Sequence, residues 1–379
     1  MSSTPRPSSA ANTGEARVAL VHDWLTGMRG GERVLEALCE LLPRAEIFTL
    51  LHNRGSVSSR IEAFDPHTSF LQHLPLSRTH YRYYLPLFPI AIEQFNLDGF
   101  DLVLSTSHCA AKSAIPVGRA KHLCYCFTPM RYAWDQLDAY FGPKRVGSMK
   151  HRLYRSIMRR IARWDAQTAR RVDHFVAISE HVAKRIDHYY KRPSQIIYPP
   201  VDTDFFTPSE SAPDNYFLVV SALVPYKRVD LAIAAAQQAK VRLKIIGRGP
   251  ESARLRAQSG RNVTFVEHCS DVELREFYRK SRGFLQAGEE DFGIAPVEAQ
   301  ACGRPVIALA RGGACETVEH GVTGYLVDED SPFAFADAIN SVNTNSFDQT
   351  NLHRSASKFS RTRFMSEIRS KIESITVET

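Results

Sequence analysis

The sequence has few cysteines, no long apolar run and little excess charge outside one segment. Its seven cysteines are odd in number and lack a Cys-x-x-Cys pair, so neither a secreted disulfide framework nor a zinc site is expected. The longest apolar stretch, 83–92, has ten residues and contains two prolines, too few to cross a membrane. Residues 1–15 are rich in Ser, Pro and Ala without an apolar core, which predicts a disordered tail and not a signal peptide. Together these absences predict a cytoplasmic protein with reduced thiols.

The basic excess is confined to one segment. The 379 residues carry a net charge of +7, yet residues 144–171 hold ten Lys or Arg and one acid, a local charge of +9. Apolar residues recur there every three or four positions from Met149 to Trp164, which predicts an amphipathic helix.

Three interpretations of this helix stay open. It could pack on a core with a solvated charged face. It could instead rest on anionic lipid headgroups, with Arg155, Arg159 and Arg163 contacting the membrane. Nucleic acid is the third option, which the absence of base-stacking aromatic platforms disfavours.

Strand-like apolar runs alternate with helical patterns along both halves of the chain, on either side of a Pro-rich stretch at 198–215. Such alternation predicts parallel sheets with right-handed crossovers. The predicted fold is therefore α/β, with two Rossmann-like, doubly wound domains that face each other across a cleft, where ligands of such sheets bind. After the 1–15 tail, the predicted boundaries are a first domain at 16–200, a hinge linker at 201–215, a second domain at 216–358 and a crossover helix at 359–379.

The densest polar motif is the segment 289–299, Glu-Glu-Asp-Phe-Gly-Ile-Ala-Pro-Val-Glu-Ala. Pro296 suits a first helical turn, which places Glu290 in the loop above a strand and Glu298 about one turn into a helix. The free N–H groups at this helix end suit a phosphate; they belong to Gly293, Ile294 and Ala295. The alternative is an acidic first turn that only complements the helix dipole.

Two further strand–helix junctions could face the same cleft. Lys227 and Arg228 precede a helix, an unfavourable place for cations unless an anion binds there. In the first half, Arg-Gly-Gly-Glu-Arg at 29–33 provides Gly30 and Gly31, which allow close backbone approach to a ligand or simply form a tight turn.

Over about residues 17–372 these motifs resemble the retaining GT-B glycosyltransferases of family 4, also called group 1. The resemblance includes the Glu-x7-Glu signature from Glu290 to Glu298, the Lys227 loop and the Gly-Gly-x-Arg turn. It extends to the segments 198–202, 246–250, 303–307 and 312–316. Residues 124–135 resemble a branch that is rich in bacterial polysaccharide mannosyltransferases.

The resemblance implies a role for each matching residue. Lys227 would bind the leaving diphosphate, and Glu290 would face the donor sugar or its developing oxocarbenium ion. Glu298 would hold the ribose hydroxyls. Further donor contacts are implied for Gly293, Ile294, Arg228, Gly30 and Gly31. No metal or other cofactor is expected, because Lys227 and the helix end supply the positive charge.

The implied function is transfer of a sugar, with mannose from GDP-mannose favoured, to a lipid-linked saccharide in polysaccharide or lipopolysaccharide synthesis. The implied location is the cytoplasm, peripherally on the inner face of the membrane, and no nucleic-acid partner is expected. Two departures from the family pattern, Ala222 in place of an Arg and Phe127 in place of a His, leave an alternative. In it, a weak or inactive homologue acts as a nucleotide-sugar-binding or scaffolding subunit. An Asp-x-Asp at 202–204 lies in the hinge, where a metal site is not expected.

Overall fold

The first half of the chain forms a parallel sheet. The computed structural model describes residues 16–135, 137, 142–143, 147–342 and 346–377. The strands of this half are β1 (Val18–His22), β2 (Glu46–Thr49), β3 (His67–Thr68), β4 (Leu102–Ser107), β5 (Lys121–Cys126), β6 (His174–Ala177) and β7 (Ser194–Ile196). Their order across the sheet is β3-β2-β1-β4-β5-β6-β7, so the strand order reverses between β1 and β4. β1 is buried along its whole length and pairs in parallel with β2 and β4.

Helices cover both faces of this sheet. They are α1 (Gly30–Leu41), α2 (Ser59–Glu62), α3 (Ser77–His80), α4 (Phe88–Glu93), α5 (Arg131–Trp134), α6 (Ser148–Thr168) and α7 (Glu180–Tyr190). Short 3₁₀ helices lie at Phe70–His73, Tyr81–Leu87, Ala111–Ser113 and Ala169–Arg171. The apolar stripe of α1, with Val34, Leu35 and Leu38 fully buried, packs into the core.

The second half forms another parallel sheet. Its strands are β8 (Phe217–Val220), β9 (Leu243–Ile246), β10 (Val263–Val266), β11 (Gly283–Gln286), β12 (Val306–Leu309) and β13 (Gly324–Val327). The order is β10-β9-β8-β11-β12-β13, with its reversal between β8 and β11. The helices are α8 (Val229–Gln238), α9 (Ser252–Gln258), α10 (Asp271–Lys280), α11 (Ile294–Ala301), α12 (Ala314–Thr317), α13 (Pro332–Ser341), α14 (Gln349–Ser357) and α15 (Arg361–Val377), with a 3₁₀ helix at Pro225–Lys227.

The predicted fold class is confirmed: two parallel α/β sheets of Rossmann type face each other. The sequence pattern does not predict β3 or β13. β3 has only two residues, and β13 has three apolar residues after Gly324, too few for a recognisable run.

The carboxy-terminal helix α15 returns to the first domain. Val201 exchanges backbone hydrogen bonds with Phe359 and Arg361, each 3.0 Å long, at the hinge. Phe364 is 1% exposed and meets Tyr125 of β5 edge to face, with ring centroids 5.6 Å apart. The crossover helix therefore adds its apolar side to the core of the first domain.

The basic segment forms α6, although Lys144 and Arg145 lie outside the described residues. Met158 and Ile161 are buried, but Met149 and Leu153 are 85% and 60% exposed. The helix therefore packs on the core through Met158 and Ile161, whereas Met149 and Leu153 in its first two turns do not reach the core. These turns present apolar side chains to solvent beside the exposed arginines.

The one acidic residue of the basic segment is buried and holds several neighbouring side chains together. Asp165 is fully buried, and its carboxylate lies 3.0 Å from Lys112 Nζ. Trp134 Nε1 and Tyr190 Oη each donate to it at 2.8 Å. Because Lys112 neutralises this carboxylate inside the protein, the surface of α6 carries positive charge alone.

Candidate functional site

The acidic motif forms the loop after β11 and the start of α11. Gly293 precedes the helix with a φ of +88°, a left-handed conformation that L side chains rarely adopt. A Cβ there would also come within 2.8 Å of Gln286 Oε1. The chain therefore turns sharply here, and α11 begins at Ile294 with the unpaired N–H groups of its first turn at the sheet edge.

Lys227 and Glu290, predicted as the catalytic pair, meet in this region. Lys227 Nζ forms an ion pair with Glu290 Oε2, and the two side chains are 16% and 24% exposed. Burial lowers the pKa of Lys227, but the attraction of Glu290 outweighs it and the net pKa lies above the usual lysine value. Their loops approach closely, since a Cβ on Gly288 would lie 2.6 Å from the Tyr226 carbonyl oxygen.

Glu298 lies deeper, on α11. It is 6% exposed, and its Oε2 accepts a hydrogen bond of 2.8 Å from the Tyr278 hydroxyl. Burial raises the pKa of Glu298, and the attraction of Arg33 and the Tyr278 hydrogen bond offset this only in part. Arg33 itself pairs with Asp271 of α10 at 2.9 Å, so the Gly-Gly-x-Arg turn of the first domain reaches the second.

Gly30 and Gly31 lie on the opposite wall. A Cβ on Gly30 would lie 3.0 Å from Ile294 Cδ1, and a Cβ on Gly31 would lie 3.4 Å from the Phe127 ring. The structure thus brings Gly30 against the start of α11, across the domain boundary, while Gly31 lies against Phe127 of its own domain. Phe127 forms an apolar part of the same wall.

Arg228 pairs with two carboxylates other than Glu290. It has a φ of +49° and forms ion pairs with Asp330 and Asp230. Arg228 and Asp330 line a cavity of about 300 Å³ with Arg131, Asp135, Arg185, Tyr226 and Arg311. The exposed Ala222 supplies no second cation beside Lys227.

Asp291 joins the two domains, a role that the sequence did not indicate. Arg131 Nη2 lies 2.7 Å from its Oδ1, and Thr128 Oγ1 donates to the same oxygen at 3.2 Å. Ser179 Oγ donates to the Asp291 backbone carbonyl at 2.6 Å. The motif residue next to Glu290 is therefore held by three residues of the first domain.

Asp23 organises the edge of the first sheet. Its two oxygens accept four backbone N–H groups of residues 108–111, at 2.6 to 2.9 Å, and Oδ2 lies 3.0 Å from His108 Nδ1. Burial alone would raise the pKa of Asp23, but the electrostatic attraction and the two hydrogen bonds of His108, with a smaller attraction from His22, lower it to about 2. Neighbouring His22 is also buried, and burial lowers its pKa to about 4, so it is neutral near pH 7. Asp23 therefore supports the sheet edge.

Among the described residues, no group of three or more His, Cys, Asp or Glu is arranged to hold a metal. In the predicted hinge linker, the Asp202 carboxylate accepts the Phe205 N–H at 3.1 Å, as in a turn.

Comparison with known proteins matches each half of the chain to a glycosyltransferase family. Residues 28–205 match Glycosyltransferase Family 4, and residues 201–362 match Glycosyl transferases group 1. The chain belongs to the family 4/group 1 glycosyltransferases.

Curated relatives of this family member match over part of their length. A D-inositol 3-phosphate glycosyltransferase of Mycobacterium sp. (strain JLS) is 33% identical over 170 residues, 39% of this chain and 38% of the relative. The enzyme of that name from Acidothermus cellulolyticus is 33% identical over 186 residues, 41% of this chain and 42% of the relative. The chain thus spans less than half the length of these relatives.

Solved GT-B structures match the whole fold of this glycosyltransferase-family chain. Anabaena Alr3699/HepE, solved in complex with UDP and glucose, gives a TM-score of 0.70 at 19% identity, over 95% of this chain and 100% of that one. Sucrose-phosphate synthase from Thermosynechococcus elongatus gives 0.71 at 16% identity, over 96% and 100%. At such identities the likeness shows the fold alone.

The Asp23 cluster predicts a pH-dependent loss of stability. A carboxyl with a folded pKa of about 2 and an ordinary unfolded value of 3.8 stabilises the folded state above pH 4, and this contribution disappears as pH falls through 2. Asp23→Asn should therefore lower the free energy of unfolding by at least about 2 kcal/mol at pH 7, since an amide NH₂ cannot accept backbone N–H groups. Urea unfolding at pH 7 and pH 3 measures the difference, which should shrink at pH 3. The exposed Asp98→Asn is the control, and an Asp23→Asn deficit that is independent of pH would contradict the assignment.

Proposed function

We propose that the protein is a retaining glycosyltransferase that moves a sugar from a nucleotide-sugar donor, with GDP-mannose favoured, to a lipid-linked saccharide. The observation that carries this proposal is the Lys227–Glu290 ion pair beside the free N–H groups of α11. It places one cation, one carboxylate and a positive helix end at the carboxyl edge of the second sheet, where ligands of such sheets bind.

A donor that binds at Lys227 would have to replace Glu290 in the ion pair. A diphosphate, with more negative charge than one carboxylate, would bind Lys227 Nζ and the N–H groups of Gly293 and Ile294. Glu290 would then be released toward the hydroxyls of the donor sugar and the positive charge that develops at its anomeric carbon. Because Lys227 has a raised pKa, it stays cationic and stabilises the leaving diphosphate.

The nucleoside would lie deeper along α11. Glu298 is buried beside Tyr278, and a carboxylate there can accept both hydroxyls of a ribose. Gly30 and Gly31 would close the opposite side, since they already contact Ile294 and Phe127.

The comparisons support a nucleotide-sugar donor but differ in the sugar. HepE was solved with UDP-glucose, and another structural relative with a TM-score of 0.64 is a lipopolysaccharide outer core galactosyltransferase, WaaB. GDP-mannose is favoured here only by the sequence resemblance at 124–135. Transfer without a metal cofactor stays a prediction.

A second candidate function is that of a nucleotide-sugar-binding or scaffolding subunit with little activity. It is favoured by the apolar ring of Phe127 against Gly31 and by Ala222, which cannot supply the cation that the family pattern has at its position. Turnover of the donor separates the two candidates, because only the enzyme requires it.

A donor panel tests the proposed function. We expect GDP-mannose to raise the melting temperature of the protein more than UDP-glucose, UDP-galactose or free GDP, because a ligand of the folded state stabilises it by mass action. Slow hydrolysis of the stabilising donor should accompany binding. Binding without hydrolysis or transfer to any saccharide would favour the scaffolding subunit, and a preference for a uridine donor would overturn GDP-mannose.

Removal of either charge should abolish transfer. Lys227→Ala and Glu290→Ala should each lower kcat/KM for the donor by about a hundredfold to a thousandfold, the usual cost of losing one preorganised electrostatic contact. The exposed Lys280→Ala and Glu267→Ala of the same domain are matched controls. Near-normal transfer in a folded Lys227→Ala or Glu290→Ala protein would contradict the site assignment.

The same proposal places the protein on an anionic membrane through α6. Arg155, Arg159 and Arg163 are exposed, and the first turns of α6 expose Met149 and Leu153 beside them. Cationic and apolar side chains together are what an interfacial helix needs. None of the helices in the described residues is long and apolar enough to cross the bilayer.

Vesicle binding tests this placement. Replacement of Arg155, Arg159 and Arg163 by Gln should weaken binding to vesicles that contain phosphatidylglycerol by at least roughly tenfold, since each cation contributes about 1 kcal/mol at such a surface. The control replaces the exposed Lys240, Arg261 and Lys280 of the second domain by Gln, with the same change of charge. If the two triple variants sediment equally with the vesicles, α6 is only a solvated surface helix.

A further inference from the structure

A histidine that the proposed chemistry does not use lies at the reversal point of the first sheet. His108 is the first residue after β4, and Asp23 is the first after β1. These strands are neighbours, and the strand order reverses between them. Ligands of parallel sheets bind outside the carboxyl ends of the strands at this point.

His108 is held in one orientation. Its Nδ1 lies 3.0 Å from Asp23 Oδ2, and its backbone N–H donates to the same oxygen at 2.7 Å. Its ring meets Trp24 edge to face, with centroids 4.5 Å apart. Since an ionised carboxylate can only accept, the nitrogen that faces Asp23, Nδ1, carries a proton, and in the neutral form of the ring the lone pair is on Nε2.

The rest of the ring reaches the cleft wall. The side chain is 30% exposed, and Nε2 has no hydrogen-bond partner in the described part of the chain. The ring centroid lies 6.3 Å from that of Phe127, which itself lies beside Gly31. Gly31 follows Gly30, which contacts Ile294 at the start of α11. Phe127, Gly31 and Gly30 thus lie between His108 and the predicted donor site at the start of α11.

The other histidine of this edge is not available. His22 is 1% exposed, and its Nδ1 lies 2.7 Å from the Thr106 hydroxyl. Phe127 cannot form a hydrogen bond with its ring edge in the way an imidazole does. His108 therefore presents a polar side chain to this wall beside Phe127.

We propose that His108 Nε2 accepts a hydrogen bond from a sugar hydroxyl in the cleft and so selects the sugar, with Asp23 as its positioning residue. This inference rests on the proposed function, since it needs a sugar substrate. The hydroxyl belongs either to the donor sugar or to the acceptor saccharide, and both offer the same chemistry.

Two substitutions separate this role from a structural one. The amide of Asn can replace Nδ1 as the donor to Asp23 but has no atom at the Nε2 position, whereas Gln reaches the Nε2 position and loses the contact with Asp23. His108→Asn should leave the unfolding midpoint and the affinity for free GDP unchanged, yet lower kcat/KM for GDP-mannose roughly tenfold, the effect of one neutral hydrogen bond. His108→Gln should be less stable and keep part of that activity. The exposed His188→Asn on α7 is the matched control and should match the wild type throughout.

Deoxy sugars identify the hydroxyl. With the monodeoxy analogue of GDP-mannose that lacks the bonded hydroxyl, wild type and His108→Asn should have equal rates. If instead hydrolysis of every donor is unaffected and only transfer falls, the hydroxyl belongs to the acceptor, which supports the same assignment.

Equal kcat/KM for the wild type and His108→Asn, in both hydrolysis and transfer, would overturn the inference while the proposed function stands. A His108→Asn protein with weaker GDP binding and lower stability would assign His108 to structure alone and would also overturn it. A wild-type protein that binds no nucleotide sugar would overturn the proposed function first and the inference with it.

Discussion

The contact of Asp291 with the first domain fixes the geometry of the cleft. Its carboxylate meets Arg131 and Thr128 of one domain, while the preceding residue, Glu290, is tied to the other by the Gly313 N–H at 2.9 Å. Two adjacent residues are thus held by different domains. A rotation of one domain against the other would therefore either break the Arg131–Asp291 pair or displace the segment that carries Glu290. Since both charges are largely buried, separating them without a replacement partner is costly.

The charges of the cleft are balanced within the protein. Lys227 is paired with Glu290, Arg33 with Asp271 and Arg131 with Asp291. In the proposed function, a donor diphosphate would therefore have to replace the Glu290 carboxylate at Lys227. The selectivity of such a site depends on the strength of the incoming anion relative to Glu290. The charge on the surface of α6 is not balanced in this way. Lys112 neutralises Asp165 inside the protein, and the arginines stay exposed. The small net charge of the chain thus combines a balanced cleft with one unbalanced surface.

The sequence alone predicts the fold and those residues of the candidate site that lie together in one short motif. Alternation of strands and helices predicts both sheets because each unit is local in the chain, and Glu290, Glu298 and Gly293 belong to one short motif. The long-range partners could not be predicted in this way. Arg131 and Asp291 are separated by 160 positions, and nothing in either local pattern identifies the other. The same holds for Asp23 and His108, which become neighbours only through the parallel pairing of β1 with β4. A sheet edge collects residues from strand ends that are far apart in sequence, so its chemistry depends on strand order, which periodicity does not encode.

The helix α6 is connected to the cleft through the short helix α5, which follows β5. Asp165 of α6 accepts the Trp134 N–H, and Trp134 ends the short helix α5 whose first residue is Arg131. Arg131 in turn meets Asp291, next to Glu290. The face that would rest on a membrane and the carboxylate that would face the donor sugar are therefore joined by one four-residue helix and two polar contacts. If a lipid-linked acceptor is presented at α6, the segment 131–134 both orients the first domain toward that acceptor and holds the domains closed around the donor. A displacement of α6 on the surface would then act on the Arg131–Asp291 pair without any change in the donor-binding residues.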